Sequence, residues 1–286
     1  MNNHDIDVSI VYLTKNGGKL FEDSLKRVFE QDIGRKFEVI CIDSGSVDST
    51  IDVIRTYPAR LYQIEPDKFS FGPVRDYGFS KANGNIIVTL SQDVVPCDEK
   101  WLYHLTKPFE VSDTAVVQGN DVRPIHDNIF FWERINYFYF TKDVQKWIRE
   151  YKIGLSCSNV AIRKSVWSEC MFGNTPMSED KTLQVKLKRK GYKILFAKDA
   201  LAYHGHRYTV RSLVKRCENE GMGWRYAGLD YSVMDMLSDL ASIKKFGILT
   251  KGIIQGKALN LAEVLFPIIR PLWLYKGNHF LKDYRH

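Results

Sequence analysis

The sequence predicts an α/β fold: a mixed, mostly parallel sheet flanked by helices, followed by a C-terminal helical extension. Two observations carry this. Apolar runs at residues 8–14, 37–43 and 85–96 read as buried strands, and the last two lead through polar turns into helix starts, the alternation expected of a sheet with crossover helices. Two of these runs also end on a carboxylate, Asp43 and Asp93, and open α/β sheets bind their ligands at the carboxyl ends of their strands.

The first strand, 8–14, runs into Lys15-Asn16-Gly17-Gly18-Lys19. This turn matches neither G-x-G-x-x-G nor a Walker-type G-x-x-x-x-G-K-[ST], which excludes the common dinucleotide and ATP sites. The strand 37–43 ends at Asp43 and is followed by the small polar turn 44–50 and a helix from Ile51. Asp48 or Ser49 is the candidate cap of that helix. Asp43 differs, because a strand tip puts it within reach of a ribose or a base. The run 85–96 follows Gly84, carries Gln92-Asp93 at its end and is stopped by Pro96. A lone carboxylate there is either a turn residue or a ligand for a hard divalent cation that bridges to phosphate.

A helix begins at Trp101, and residues 116–120 read as the next strand. The aromatic stretch 130–140 is either plain core or a platform on which sugar rings stack. Ser178-Glu179-Asp180 opens a helix with Leu183 and Leu187 on one face and Gly191 at its end. Acidic residues in a first turn complement the helix dipole. A carboxylate facing a cleft from the same place equally suits a general base. The run 193–206 is a strand ending in His204-Gly205-His206.

Taken in order, these motifs resemble the inverting family-two glycosyltransferases of the GT-A fold, from about Val8 to about His206. Residues 69–84 are similar to the segment leading into the metal-binding strand of rhamnosyltransferase-like members, whose pattern is roughly F-N-H-G-x-x-R-N-x-G-x-x-x-A-x-G, then L-x-Q-D-x-x-P. Phe69, Gly72, Arg75, Gly78, Ala82, Gly84, Leu90, Gln92, Asp93 and Pro96 follow it, whereas Ser70, Phe71 and Asp76 depart from it. The resemblance implies Thr14 and Asn16 beside the nucleobase, Asp43 on the base or ribose, and Arg75 on the base or the diphosphate. Asp93 would hold a divalent metal, Mn²⁺ or Mg²⁺, on the donor diphosphate, with Gln92 standing where many relatives have a second acid. The missing acid leaves room for His204 or His206 as a metal ligand. Asp180 would be the base that deprotonates an acceptor hydroxyl, with Glu179 its neighbouring alternative. Residues 154–163 resemble the family's strand facing donor and acceptor, where Asn159 would contact sugar or serve as a turn residue, and Trp224 with Arg225 would close over the diphosphate or the acceptor, or belong to an interfacial helix.

Charge divides the chain. From Lys244 to the end there are eight Lys or Arg against two acids, +6 of the whole chain's +7. This predicts a nearly neutral catalytic domain over 1–210 and a basic, amphipathic helical extension over 211–286. The extension has no apolar stretch near the roughly 20 residues that cross a bilayer, and Pro267 and Pro271 are expected to break its helices. A basic segment with Trp273 among its apolar residues suits an anionic membrane surface; it equally suits packing on the domain or on a second subunit of a homo-oligomer. No recognised nucleic-acid motif accompanies the charge. The first residues carry no signal-peptide pattern. The five cysteines are scattered without C-x-x-C spacing, which fits a reducing compartment.

The expected function is a metal-dependent, inverting sugar transfer from a UDP- or dTDP-linked donor, with rhamnose the leading sugar, to a glycan or lipid-linked glycan. It would take place on the cytoplasmic face of a membrane. The alternatives are a non-catalytic sugar-nucleotide or glycan-binding protein and a nucleotidyltransferase; the absence of a glycine-rich, basic first loop disfavours the latter.

Overall fold

The computed structural model describes residues 6–111, 113–124, 129–258, 260–282 and 284. The first elements in chain order are β1 (Val8–Thr14), α1 (Gly18–Phe29), β2 (Phe37–Asp43), α2 (Thr50–Arg55), β3 (Arg60–Gln63), α3 (Phe71–Ser80), β4 (Ile86–Leu90), β5 (Val95–Pro96), α4 (Trp101–Thr106) and β6 (Val116–Val122). They are followed by α5 (Phe131–Arg134), α6 (Lys142–Tyr151), β7 (Asn159–Arg163), α7 (Lys164–Cys170), α8 (Glu179–Arg189), β8 (Ile194–Tyr203), α9 (Val210–Tyr226), α10 (Val233–Leu240), α11 (Ile243–Ile254) and α12 (Leu261–Phe280).

The chain forms two compact units. The first runs through Val122 and adds Leu155–Thr175 and Glu179–His204. It holds one eight-stranded sheet in the order β3-β2-β1-β4-β7-β6-β8-β5. The pairs β1–β2, β1–β4, β2–β3 and β6–β8 are parallel, while β7 is antiparallel to both its neighbours and β5 to β8. This is the expected mixed, mostly parallel sheet.

Side-chain alternation builds a core on each face. Val8, Ile10 and Tyr12 of β1 pack with Phe21, Leu25 and Val28 of α1 and with Trp101, Leu102 and Leu105 of α4. Val11 points the other way, to Val74 and Phe79 of α3, Val166 and Trp167 of α7 and Leu183 and Leu187 of α8. The period of two along a strand sets this division. Gly84 is required where it stands, since a Cβ there would lie 2.8 Å from the Ser9 backbone nitrogen.

The second unit comprises Arg123–Gly154, Pro176–Ser178 and everything from Gly205. The division expected at residue 210 thus falls slightly earlier, and residues 123–154 join the extension. Aromatic packing is the reason. Phe130, Phe131, Trp132, Phe138 and Phe140 share one buried core with Leu249, Ala262, Phe266 and Ile269. For the aromatic stretch, the core reading is the one the structure shows.

The expectation that Pro267 and Pro271 break the helix is overturned: α12 runs through both. A proline inside a helix leaves the carbonyl four residues earlier without its N–H partner. For Pro267 that carbonyl belongs to Glu263, and it accepts instead from Trp132 Nε1 at 2.7 Å. The helix packs on α9 through glycines: a Cβ on Gly277 would meet the Glu218 carbonyl oxygen at 1.9 Å, and one on Gly221 the Leu274 carbonyl oxygen at 2.1 Å. Among the described residues no helix is long and apolar enough to cross a membrane.

Asp143, in the first turn of α6, lies fully buried in this unit. Burial pushes its carboxyl up to about 6, against the pull of Arg270. A folded-state acidity weakened in this way favours the protonated carboxyl. Stability is therefore greatest below the unfolded value near 4, falls as pH rises from about 4 to about 6, and is level above. Asp143→Asn, the neutral isostere, removes this dependence. The expected result is a gain of roughly 3 kcal/mol at pH 8 and almost none at pH 4, measured as the difference in thermal unfolding between variant and wild type at each pH.

Candidate active site

The site lies in the first unit, where strand ends and strand beginnings meet. Thr14 and Asp43 end β1 and β2 in register. The Thr14 hydroxyl donates to Asp43 Oδ2 at 3.0 Å, and the Ser46 hydroxyl to the same oxygen at 2.6 Å. Oδ1 accepts from the Gly45 and Ser46 amides at 3.0 and 2.9 Å. A carboxylate has about four acceptor positions, and the turn fills them. Asp43 is fully buried. Its two oxygens hold the 44–46 turn against β1.

Asn16 takes a left-handed backbone conformation, with φ of 49°. Its amide donates to Ser46 Oγ and its side-chain oxygen accepts from the Val47 amide, both at 2.8 Å. Gln92 grips the same loop from β4. Its Oε1 accepts from the Lys15 amide at 2.9 Å, and its Nε2 donates to the Lys15 carbonyl at 3.1 Å. An acid in this position lacks the donor needed for the second bond, so glutamine ties β1's loop to β4 as a strand neighbour would. Asp48, one of two candidate caps, accepts from the Thr50 and Gly18 amides; Ser49 makes no side-chain cap bond.

Arg75, expected on the base or the diphosphate, forms an internal ion pair. It is buried, and its Nε and Nη2 donate to Glu179 Oε1 at 3.0 and 2.7 Å. Its Nη1 donates to Thr89 Oγ1. Burial raises the Glu179 carboxyl while Arg75 pulls it down. Glu179 is thereby held as an internal anchor for the start of α8. Asp180, next to it, keeps a partly exposed carboxylate, with Oδ1 accepting from the Lys181 amide and Lys181 Nζ 3.7 Å from Oδ2. Lys181 Nζ itself donates to the Leu155 carbonyl. Of the two adjacent acids, Asp180 is the more exposed, with 18% of its side chain accessible against 6% for Glu179.

Asp93 follows β4, half-buried, and β5 just beyond it pairs with β8 so that Val95 faces Tyr203. That pairing brings His204, the residue after β8, to Asp93: Nε2 lies 3.9 Å from Asp93 Oδ1. The opposite ring nitrogen, Nδ1, is 3.0 Å from Asp121 Oδ2, which also accepts from Ser158 Oγ at 2.6 Å. Burial raises the Asp121 carboxyl, but the His204 and Ser158 bonds prevail and hold it below the ordinary range. Asp121 thereby orients the His204 ring, with Nδ1 against its carboxylate and Nε2 on the side of Asp93. A carboxylate behind a histidine is the usual support of a histidine metal ligand.

In the second unit His206 has the same support. Its Nδ1 is 2.8 Å from Glu133 Oε1, and its amide donates to Glu133 Oε2 at 2.9 Å. Carboxylate oxygen and neutral imidazole together suit Mn²⁺. Asp93 and His204, both in the first unit, fit the metal that the resemblance implies.

Two predicted contacts are displaced into cores. Asn159 begins β7, fully buried, where Oδ1 accepts from Trp101 Nε1 at 3.0 Å and Nδ2 donates to the Ala200 carbonyl at 3.4 Å. It is neither a sugar contact nor a turn residue. Trp224 is buried in the second unit, edge-on to Trp147 at 5.3 Å, and Arg225 donates to the Asn278 and Leu281 carbonyls. Asp121, Ser158 and Glu133 were not singled out from the sequence. The usable signal was for Asp121, a carboxylate at the end of the strand expected over 116–120.

Residues 9–170 match the family described as "Glycosyl transferase family 2". The O-antigen chain rhamnosyltransferase WbaN of Salmonella anatum is 27% identical over 225 residues, 75% of this chain and 71% of its own. RfbN of Salmonella typhimurium, of the same description, is 26% identical over 226 residues, with the same coverage of 75% and 71%. Among solved structures, a Pyrobaculum calidifontis mannosyltransferase in complex with GDP-Man and Mn²⁺ is similar with a TM-score of 0.58 at 16% identity, covering 96% of this chain and 87% of its own. The glucosyl-3-phosphoglycerate synthase of Mycobacterium tuberculosis, in complex with Mn²⁺, UDP and phosphoglyceric acid, reaches 0.61 at 15% identity, covering 79% of this chain and 80% of its own. A sheet of the GT-A kind, carboxylates at its strand ends and a family match over more than half the chain agree: this protein is a glycosyltransferase of family 2.

Proposed function

We propose that this enzyme transfers a sugar, rhamnose first among the candidates, from a UDP- or dTDP-linked donor to a hydroxyl of a glycan or lipid-linked glycan, with inversion at the anomeric carbon. The observation that carries the metal-dependent part is His204, held by Asp121 with its Nε2 aimed at Asp93. Asp93 and His204 are the proposed ligands of Mn²⁺ or Mg²⁺, with His206, two residues further along the chain, as the third. The relatives' description as rhamnosyltransferases and the neighbours' Mn²⁺ and nucleotide complexes support the choice of donor and metal.

When bound, a divalent ion at this position offsets the charge that grows on the departing diphosphate. Asp180 takes the proton of the acceptor hydroxyl as that oxygen attacks the anomeric carbon. The bond from that carbon to the diphosphate breaks, and the nucleoside diphosphate leaves with its electron pair. Thr14 and Asn16 form the wall beside the base, Asp43 holds the 44–46 turn behind them, and Gln92 fixes Lys15. Arg75 and Glu179 fix the start of α8, and so Asp180. Five unpaired cysteines fit work in a reducing compartment, at the cytoplasmic face of a membrane.

A thermal-shift panel of UDP, dTDP, GDP and CMP, each with Mn²⁺, Mg²⁺ or EDTA, tests the donor site. A ligand that binds only the folded state raises its stability by mass action. The expected result is a shift with one nucleotide, lost in EDTA and in Asp93→Ala. Asp121→Asn is expected to weaken Mn²⁺ binding, titrated by calorimetry, by about 10- to 100-fold. No shift with any nucleotide, or an Asp93→Ala protein that responds as wild type does, would overturn the site as drawn.

A further inference from the structure

The second unit leaves one helix face unexplained by packing. In α11, Ile243, Phe246, Ile253 and Ile254 are exposed, Ile243 by 87% and Ile254 by 79%. At 3.6 residues per turn these four fall on one side of the helix. The opposite side is fixed inside the unit. Lys245, Leu249 and Gly252 are buried, Lys245 Nζ donates to the Asp239 carbonyl, and a Cβ on Gly252 would meet the Phe131 ring at 2.6 Å. At Gly252 the inner face has no room for a side chain, which fixes this side of α11 inward.

Charge selects the occupant. Lys244 and Lys251 flank the stripe and Lys257 follows the helix end, all exposed. Residues 240–262 contain no Asp or Glu. A two-fold dimer through this face would gather the lysines of both copies into one interface, with no acid from residues 240–262 to offset them. An anionic bilayer answers both features, with acyl chains for the isoleucines and Phe246, and phosphate headgroups for the lysines. At 12 residues the helix is about 18 Å long, which suits lying in the interface and is too short to span.

We infer that α11 is a membrane-docking helix that seats the enzyme on anionic lipid through Ile243, Phe246, Ile253 and Ile254, with Lys244, Lys251 and Lys257 pairing with headgroups. This deepens the lipid-linked acceptor reading and rests on it for its purpose. Its test involves no sugar transfer, so either can fail alone.

Full-length protein is sedimented with vesicles of phosphatidylcholine alone and of phosphatidylcholine with a quarter phosphatidylglycerol, at low and high salt. Binding is expected only to the anionic vesicles and is expected to weaken with salt. The double variant Ile243→Ser/Ile254→Ser is expected to lose at least about tenfold in vesicle affinity. The triple variant Lys244→Gln/Lys251→Gln/Lys257→Gln is expected to lose about 100-fold on anionic vesicles. All these side chains are exposed, and an unchanged melting temperature checks that both variants fold. Absence of wild-type binding to the anionic vesicles overturns the inference, as does wild-type binding by the double variant. So does a wild-type dimer that the double variant converts to monomer without any vesicle binding, since the face would then belong to a second copy.

Discussion

Asp180→Asn is expected to lower kcat by about 10²- to 10⁴-fold, the usual contribution of a positioned general base, while the melting temperature and the nucleotide-dependent shift stay as in wild type. Asparagine keeps the size of the side chain, and its oxygen still accepts from the Lys181 amide, so the start of α8 is undisturbed. What is lost is the carboxylate that takes up a proton. Glu179→Gln separates the two neighbouring acids. Glu179 accepts two bonds from the buried guanidinium of Arg75; neutralising it leaves a buried cation without its partner. That variant should lose stability first, with any fall in turnover following the fraction of folded protein. A Glu179→Gln enzyme of normal stability and abolished turnover, beside an active Asp180→Asn enzyme, would reverse the assignment. Both rates are read with saturating donor and acceptor, so that kcat and not binding is compared.

How far the sequence reached depends on what kind of signal each residue emits. Strands β1, β2 and β4 were legible because they are apolar runs buried on both faces. The positions of Asp93, Gln92 and Asp180 were legible because strand ends and first helical turns are marked by local sequence. The partner of Arg75 was not legible. It lies 104 positions away, and nothing near Arg75 in the chain shows which carboxylate will fold onto it. Asp121 and Glu133 were missed on the same ground, since each matters only through a histidine 83 and 73 residues further on. The prolines of α12 show tertiary context overriding a local rule: the carbonyl that Pro267 leaves open is taken by a tryptophan 131 positions away in the chain. Local chemistry marks where a site lies, and long-range pairing decides which of its charged groups face the ligand.

The same logic gives the largest stability effect in the second unit. Arg270 of α12 is wholly buried, and its Nη2 and Nη1 donate to Glu220 of α9 at 2.7 and 3.2 Å. The guanidinium also lies over the rings of Phe138 and Tyr139, at 4.8 and 5.4 Å from their centroids. Burial raises the Glu220 carboxyl, but Arg270 and Arg216 prevail and hold it below its ordinary range. Glu220→Ala strands the Arg270 charge in a core with no route to water. A loss of about 3 to 5 kcal/mol is expected, read as the fall in the denaturant midpoint. Removing both charges tells the cause apart from a simple cavity. The double variant Glu220→Gln/Arg270→Met should recover most of the loss, because a buried pair replaced by groups of similar volume is often neutral or stabilising. If the double variant is as unstable as Glu220→Ala, the uncompensated charge is not the cause, and the packing of α9 on α12 through Gly221 and Gly277 becomes the determinant of this unit's stability.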